Sequence, residues 1–279
     1  MSGFPRTTVG GVSMPRLICG TNWLLGHSHV SAAKDRLIRE LFDTPSKIAD
    51  VLELFVRAGC DATMSMPNDL MHAAIQEVEQ RVGVRVKWVA TPLIANLDDL
   101  DEWKRAVEYA RRMDVTCCFP HTGVTDRLLD RANRRLDPRL TEFLRIVREM
   151  DMIPGLSTHE PEAIIYSDET DADVEAYIQP YNSAGFLCRV ETDWMQRIIN
   201  NAKKPVMTIK PLAAGALRPP TGLAFVWSTI RDCDMVTVGT MSRYEAEEVI
   251  EISLACLEKR KADVELQVTR SKASVVGKG

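Results

Sequence analysis

At 279 residues, with 45% hydrophobic and 27% charged side chains, the chain has enough apolar mass for one large domain or two small ones. The net charge of −4 comes from acidic and basic residues interleaved along the chain, which leaves no basic footprint for nucleic acid. No apolar stretch is long enough to span a bilayer, and the start MSGFPRTTVGGVSMP lacks a signal pattern, so the expectation is a cytoplasmic protein without membrane partners.

In chain order, residues 9–14 read as a short hairpin turning at Gly10-Gly11. Eight apolar or β-branched runs follow, at 16–21, 60–65, 84–91, 115–121, 153–158, 175–182, 205–211 and 235–240. Most are continuous rather than alternating, as expected for parallel strands buried on both faces. Between them lie segments with the helical period. In SKIADVLELFVRAG the stripe is Ile48, Val51, Leu52, Leu54 and Phe55, with Thr44 as N-cap, Pro45 in the first helical position and Gly59 as stop. Further helices are expected at 100–113, 140–150, 193–202, 223–230 and 243–257. Residues 262–279 are polar, lack aromatics and end in GKG, which reads as a frayed tail.

Eight strand–helix units in this order predict an α/β fold, a (β/α)8 TIM barrel over residues 1–260 with a C-terminal tail at 261–279. An open doubly wound sheet competes, but no Gly-x-Gly-x-x-Gly follows the first strand. The seven cysteines, odd in number and without a C-x-x-C pair, read as reduced thiols, most of them inside apolar runs. The segment 23–43 is longer than a first βα turn requires. WLLGHSH can fold over the barrel mouth as a lid, and AAKDRLIRELF reads as a helix with Leu37, Ile38 and Leu41 packed inward; a purely structural extra helix is the alternative.

Several segments together resemble the aldo-keto reductase superfamily: VGGVSMPRLICGTNW at the start, IPGLSTHEPEAI at the fifth strand, YIQPYN at the sixth, TIKPLAAGAL at the seventh and MVTVGTMSRYEAEEVI at the eighth. The resemblance covers nearly the whole chain and implies chemistry at the C-terminal ends of the strands. It also implies a divergent member lacking most of the catalytic tetrad. Met64 or its neighbours stand where the family has aspartate, the following loop has no tyrosine, and Pro92 replaces the lysine. Only the histidine is kept, as His121. Without a proton donor and the lysine that lowers its pKa, the family's carbonyl reduction loses its means.

For NADP(H), the resemblance implies contacts from Gly20, Thr21 and Asn22, nicotinamide contacts from Ser157 and Gln179, and adenine-end contacts from Thr240, Ser242, Arg243 and Glu248. Lys210 belongs to the same cofactor-side turn. Ile209 and Val249 depart from the pattern, where an aromatic and an asparagine are common. Lys210, ending an inner strand, is also a Schiff-base candidate.

Four of the five histidines fall at the expected mouth: His27 and His29 after the first strand, His121 after the fourth and His159 after the fifth. With Glu160 they are candidates for acid/base catalysis or substrate binding. The same four histidines are candidates for a divalent-metal site, to which Glu160, Glu191 or Asp193 can add ligands. His72 reads as a helix-flank residue beside the stripe of Met71, Ile75, Val78 and Val82. Asn22, Asp61, Asn68 and Asn182 are polar residues near strand ends; Asp61 can face inward or pair on the outside.

Three functions compete. One is a non-redox enzyme on a small polar substrate of sugar or keto-sugar type, working by acid/base or metal-assisted lyase, isomerase or hydrolase chemistry. The second is an NADP(H)-dependent oxidoreductase with His121 replacing the tyrosine. The third is a non-catalytic ligand-binding or accessory barrel.

Overall fold

The computed structural model describes residues 3–265 and residue 272. Its elements, in chain order, are β1 (Arg6–Val9), β2 (Val12–Pro15), β3 (Leu17–Gly20), α1 (Ala32–Leu41), α2 (Pro45–Arg57), β4 (Ala62–Ser65), α3 (Asp69–Val82), β5 (Lys87–Ala90), α4 (Leu100–Arg112) and β6 (Cys117–Cys118). Then come α5 (Thr122–Thr125), β7 (Leu129–Asp130), β8 (Arg135–Leu136), α6 (Pro138–Glu149), β9 (Ile153–Pro154), β10 (Leu156–Ser157), α7 (Glu162–Glu169), β11 (Tyr177–Pro180), α8 (Thr192–Asn201), β12 (Val206–Ile209), α9 (Pro219–Thr229), β13 (Met235–Gly239) and α10 (Arg243–Glu258).

The main sheet runs β10-β11-β12-β13-β3-β4-β5-β6-β9, all parallel. β9 and β10 are two pieces of one strand separated by Gly155, so the sheet closes on itself as a (β/α)8 barrel. Position 155 takes glycine for a steric reason. A Cβ on Gly155 would lie 2.4 Å from the Ala176 carbonyl oxygen and 2.5 Å from the Phe119 ring. Phe119 is fully buried, and its ring fills the space that a side chain would need.

Side-chain alternation divides the apolar residues into two layers. Ile18, Met64, Val89, Cys117, Phe119, Ile153, Ile178, Met207 and Met235 fill the barrel interior. Leu17, Cys19, Trp88, Cys118, Leu156, Tyr177, Val206 and Val236 face the helices. The helices start where local chemistry directs. Pro45 opens α2, and the Asn68 side chain accepts the Met71 N–H at the start of α3, whose end is set by left-handed Gly83. In α2, Ile48, Val51, Leu52 and Phe55 are buried, each contributing about 1.5–3 kcal/mol.

The predicted hairpin forms as β1 and β2 and plugs the barrel floor, with Val9, Val12 and Met14 packed into the interior layer. Asp61 is fixed here: Arg6 Nη1 donates to its Oδ1 at 2.8 Å, and Lys87 Nζ to its Oδ2. Its role is to tie the floor to β4 and β5. Asn68 is the α3 cap, and Asn182 bonds the backbone of Phe186, so both are structural. His72 lies half-buried on α3, its ring stacked 6.4 Å from Trp88. All seven cysteines are free thiols.

Three details differ from the sequence reading. The fourth strand shrinks to Cys117–Cys118, and the chain leaves it for a one-turn helix and the small hairpin β7–β8. On α1, Ile38 alone of the three expected apolar residues is buried; Leu37 and Leu41, four residues apart on one row, are each 44% exposed. Thr44 has N-cap backbone geometry without a capping bond from its side chain. The expected tail lies outside the described residues at 266–271 and 273–279. Residues 261–265 are held back against α10 by bonds to Glu251 from Arg260 and from the Asp263 N–H.

Candidate active site

His121 follows the fourth strand and sits at the N-cap of α5. Its Nδ1 accepts the Gly123 N–H at 3.0 Å, which places the imidazole proton on Nε2 and leaves Nε2–H as a free donor. His159 follows the fifth strand. Its backbone N–H donates to both oxygens of Asp126 at 3.1 Å, and its carbonyl accepts from Gln179 Nε2 at 3.4 Å. Neither imidazole is held as a cation. Burial and then the charge of Lys210 lower the His121 pKa, with Asp126 opposing. The same two causes, in the same order, bring His159 down to about 4.

Asp126 joins the two histidine loops. It accepts from Thr122 Oγ1 at 2.8 Å and from Thr158 Oγ1 at 2.5 Å, besides the His159 N–H. It is absent from the sequence-derived set, although HTGVTD carries a signal. A carboxylate five residues after a strand-end histidine can bridge to the next strand, and only the fold shows that it does.

Lys210 lies at the centre of the cluster. Strand alternation would turn it away from the interior, because Met207 and Ile209 face inward and Val206 outward. Its backbone leaves that pattern with φ 62°, a left-handed value costing roughly 1–2 kcal/mol for a residue with a Cβ. Ala213 and Ala214 are left-handed as well. The result is a half-buried ammonium whose charge lowers the pKa of His29, His121 and His159. Among the described residues its Nζ has no hydrogen-bond or ion-pair partner, and burial brings its own pKa down to about 8.

The other predicted residues are placed differently. His29 is largely exposed and left-handed (φ 58°), with Nε2 3.2 Å from Asn22 Nδ2; partial desolvation of its ring, then the charges of Lys210 and His27, lower its pKa. His27 is exposed on the same loop, which Asp35 of α1 fixes by accepting from the Ser28 N–H and Oγ. Glu160 bridges Arg131 and Arg189, each at 3.0 Å, so both its oxygens are engaged at the rim. Among the described residues no three His, Cys, Asp or Glu side chains converge as a metal-ligand set. The expected four-histidine site is therefore not assembled in this conformation. Glu191 precedes α8 and Asp193 lies in its first turn.

Below the histidines the interior turns polar. Thr91, Ser157 and Thr237 occupy inward positions and are nearly fully buried, and among the described residues the Thr237 hydroxyl has no partner.

The ledge that the resemblance assigns to NADP(H) fits the cofactor poorly. At the start of α10, Ser242 caps the Glu245 N–H, and Glu245 returns its carboxylate to the Met241 N–H at 2.7 Å. A negative charge thus stands where a phosphate would bind. The Trp23 indole lies against Gly239, within 3.0 Å of where a Cβ would be, and Lys34 Nζ sits over the Trp23 ring, 5.5 Å from its centroid. Gln179 alternates with inward Ile178 and bonds the His159 carbonyl, leaving its buried Oε1 unpartnered. Gly20 leaves room for Thr237 and Gly239 of β13, and Thr21 Oγ1 bonds the Met64 carbonyl. Thr240 is buried with an unpartnered hydroxyl, Arg243 is exposed and Glu248 is half-buried. Only Ser157 keeps the inward placement expected of a nicotinamide contact, and no hydride step follows from this arrangement.

No family model matches the sequence, and no curated protein matches it. Solved structures do match. A protein described as an aldo-keto reductase from Pseudomona aeruginosa superposes with a TM-score of 0.64 at 14% identity, over 90% of this chain and 95% of that one. An aldo-keto reductase from Bacillus halodurans, in its holo form, gives 0.60 at 11%, over 95% and 99%. The BexX/CysO complex of Amycolatopsis orientalis gives 0.58 at 13%, over 95% and 99%. At such identities the likeness is one of architecture, and the chain is a (β/α)8 barrel with an aldo-keto-reductase-like fold.

Proposed function

We propose that this barrel is an acid/base enzyme, a lyase or isomerase acting on a small hydroxylated carbonyl compound of sugar or keto-sugar type. The observation that carries this reading is the pair of neutral imidazoles, His121 and His159, placed around one unpartnered lysine at the strand ends. His121 Nε2–H is a donor of fixed tautomer for a carbonyl oxygen. His159 is the acceptor for a proton on the neighbouring carbon. Its low basicity is a response to burial and to the Lys210 charge, and it recovers in part when Lys210 becomes neutral. The buried hydroxyls of Thr91, Ser157 and Thr237 suit a substrate that carries hydroxyl groups.

The test is exchange of the carbon-bound α-proton of dihydroxyacetone, glycolaldehyde and pyruvate in D2O, followed by NMR. Exchange above buffer is expected for at least one. His121→Asn and His159→Asn should each slow it by roughly a hundredfold or more without lowering the unfolding temperature. Exchange absent with wild type, or undiminished in both variants, would remove the reading.

A further inference from the structure

We propose that Lys210 is the nucleophile of this mouth, condensing through Nζ with the carbonyl carbon of a short hydroxy-aldehyde or hydroxy-ketone to give a protonated imine. The proposal deepens the acid/base reading and rests on it. Three observations carry it. The left-handed backbone at residue 210 is retained by a residue with a side chain, and it redirects an otherwise outward position to the cluster. The amine has no carboxylate or other partner among the described residues, unlike Lys87, Lys203 and Lys204, which are all ion-paired. And a donor of fixed tautomer, His121 Nε2–H, belongs to the same charge-coupled cluster.

A lysine made for phosphate or carboxylate binding is served by a full charge. An amine with its pKa near 8, held there by burial, is instead partly free base at neutral pH. At pH 7 that gives roughly 300 times more free amine than an ordinary lysine.

The step balances without an oxidant or reductant. Neutral Nζ adds to the carbonyl carbon, forming the N–C bond, while the C=O π pair moves to oxygen, which accepts a hydrogen bond from His121 Nε2–H. The surplus proton on nitrogen passes through the His159 imidazole to that oxygen, giving the neutral carbinolamine. The carbinolamine hydroxyl then takes a second proton, drawn from solvent through His159, its C–O bond breaks with loss of water, and the nitrogen lone pair closes the C=N bond of the protonated imine. That cation makes the adjacent C–H acidic, which is what His159 requires of its substrate.

The experiment is reductive trapping of the full chain with glycolaldehyde or dihydroxyacetone and cyanoborohydride at pH 7, with the modified lysine located by peptide mass mapping. Lys210 should be modified at least about tenfold faster than any other lysine. The rate should rise with pH to a midpoint near 8 in the wild-type protein, a readout that needs no variant. Lys210→Arg should lose both the adduct and the α-proton exchange while keeping the wild-type unfolding temperature. Adducts spread evenly over surface lysines, or exchange that survives in Lys210→Arg, overturn the imine. If exchange survives there but is lost in His121→Asn, the imine fails and the acid/base reading stands. If wild type shows neither exchange nor adduct, both fall.

Discussion

Replacing Asp126 by alanine tests whether the two histidine loops are one unit. The carboxylate accepts from Thr122 Oγ1, Thr158 Oγ1 and the His159 N–H. Thr158 is fully buried, but its hydroxyl also contacts the Glu160 carbonyl at 3.0 Å, and Thr122 is half-buried and can turn to water. Among the described residues the His159 N–H has no acceptor apart from the two Asp126 oxygens. Taking about 1 kcal/mol for each rescued donor and somewhat more for the stranded N–H gives a loss of roughly 3 kcal/mol. In a chain of this size that corresponds to about 6–12 °C of unfolding temperature, read by circular dichroism. A second readout separates charge from packing. Asp126 raises the pKa of both imidazoles against Lys210, so Asp126→Asn should move both titrations further down, followed by the imidazole C2–H resonances. A thermal shift below about 2 °C in the alanine variant, or imidazole pKa values that stay put, would refute the bridging role.

His159 predicts an acid-sensitive contribution to stability. Its folded pKa of about 4 lies below the ordinary 6.5, so between these values the unfolded chain binds more protons. The contribution is full above about pH 6.5 and is lost as pH falls towards 4. The gap corresponds to at most about 3 kcal/mol, and partial solvent access halves that to roughly 1.5 kcal/mol. Urea titrations should show the stability of wild type relative to His159→Gln falling by that amount from pH 7 to 4; a constant difference contradicts it. Gly155→Ala meets the Ala176 carbonyl and the Phe119 ring and should cost about 3 kcal/mol or more, with a neutral result on thermal unfolding showing that the strand break is relaxed. NADPH fluorescence should show no binding up to about 1 mM, and a Kd at or below about 10 µM would mean that Glu245 and Trp23 move aside.

The barrel was legible because its strands are continuous apolar runs and its helices carry a clear 3.6-residue stripe. Both signals come from burial and survive tertiary packing. The hairpin β7–β8 was not, because two-residue ladders such as Leu129–Asp130 show no periodicity. Leu37 and Leu41 misled because an apolar stripe tells which residues share a row and not which row is covered. At the mouth, the histidines were identifiable by type and by place after their strands. The orientation of Lys210 was not, since it depends on one backbone dihedral that no side-chain pattern encodes. Gln179 marks the same limit from the other side: its neighbourhood in sequence matched, while strand alternation beside inward Ile178 faces it outward.

The hairpin at the floor has a kinetic consequence. With Val9, Val12 and Met14 filling the lower interior and Arg6 and Lys87 pinned to Asp61, the barrel is closed at its floor, so the strand-end face is the side left for a ligand. Whatever enters between the strand ends must depart by the same door, so a departing molecule and an arriving one exclude each other. On the proposed acid/base reading, turnover would follow strict alternation, with the released compound competing with its own precursor.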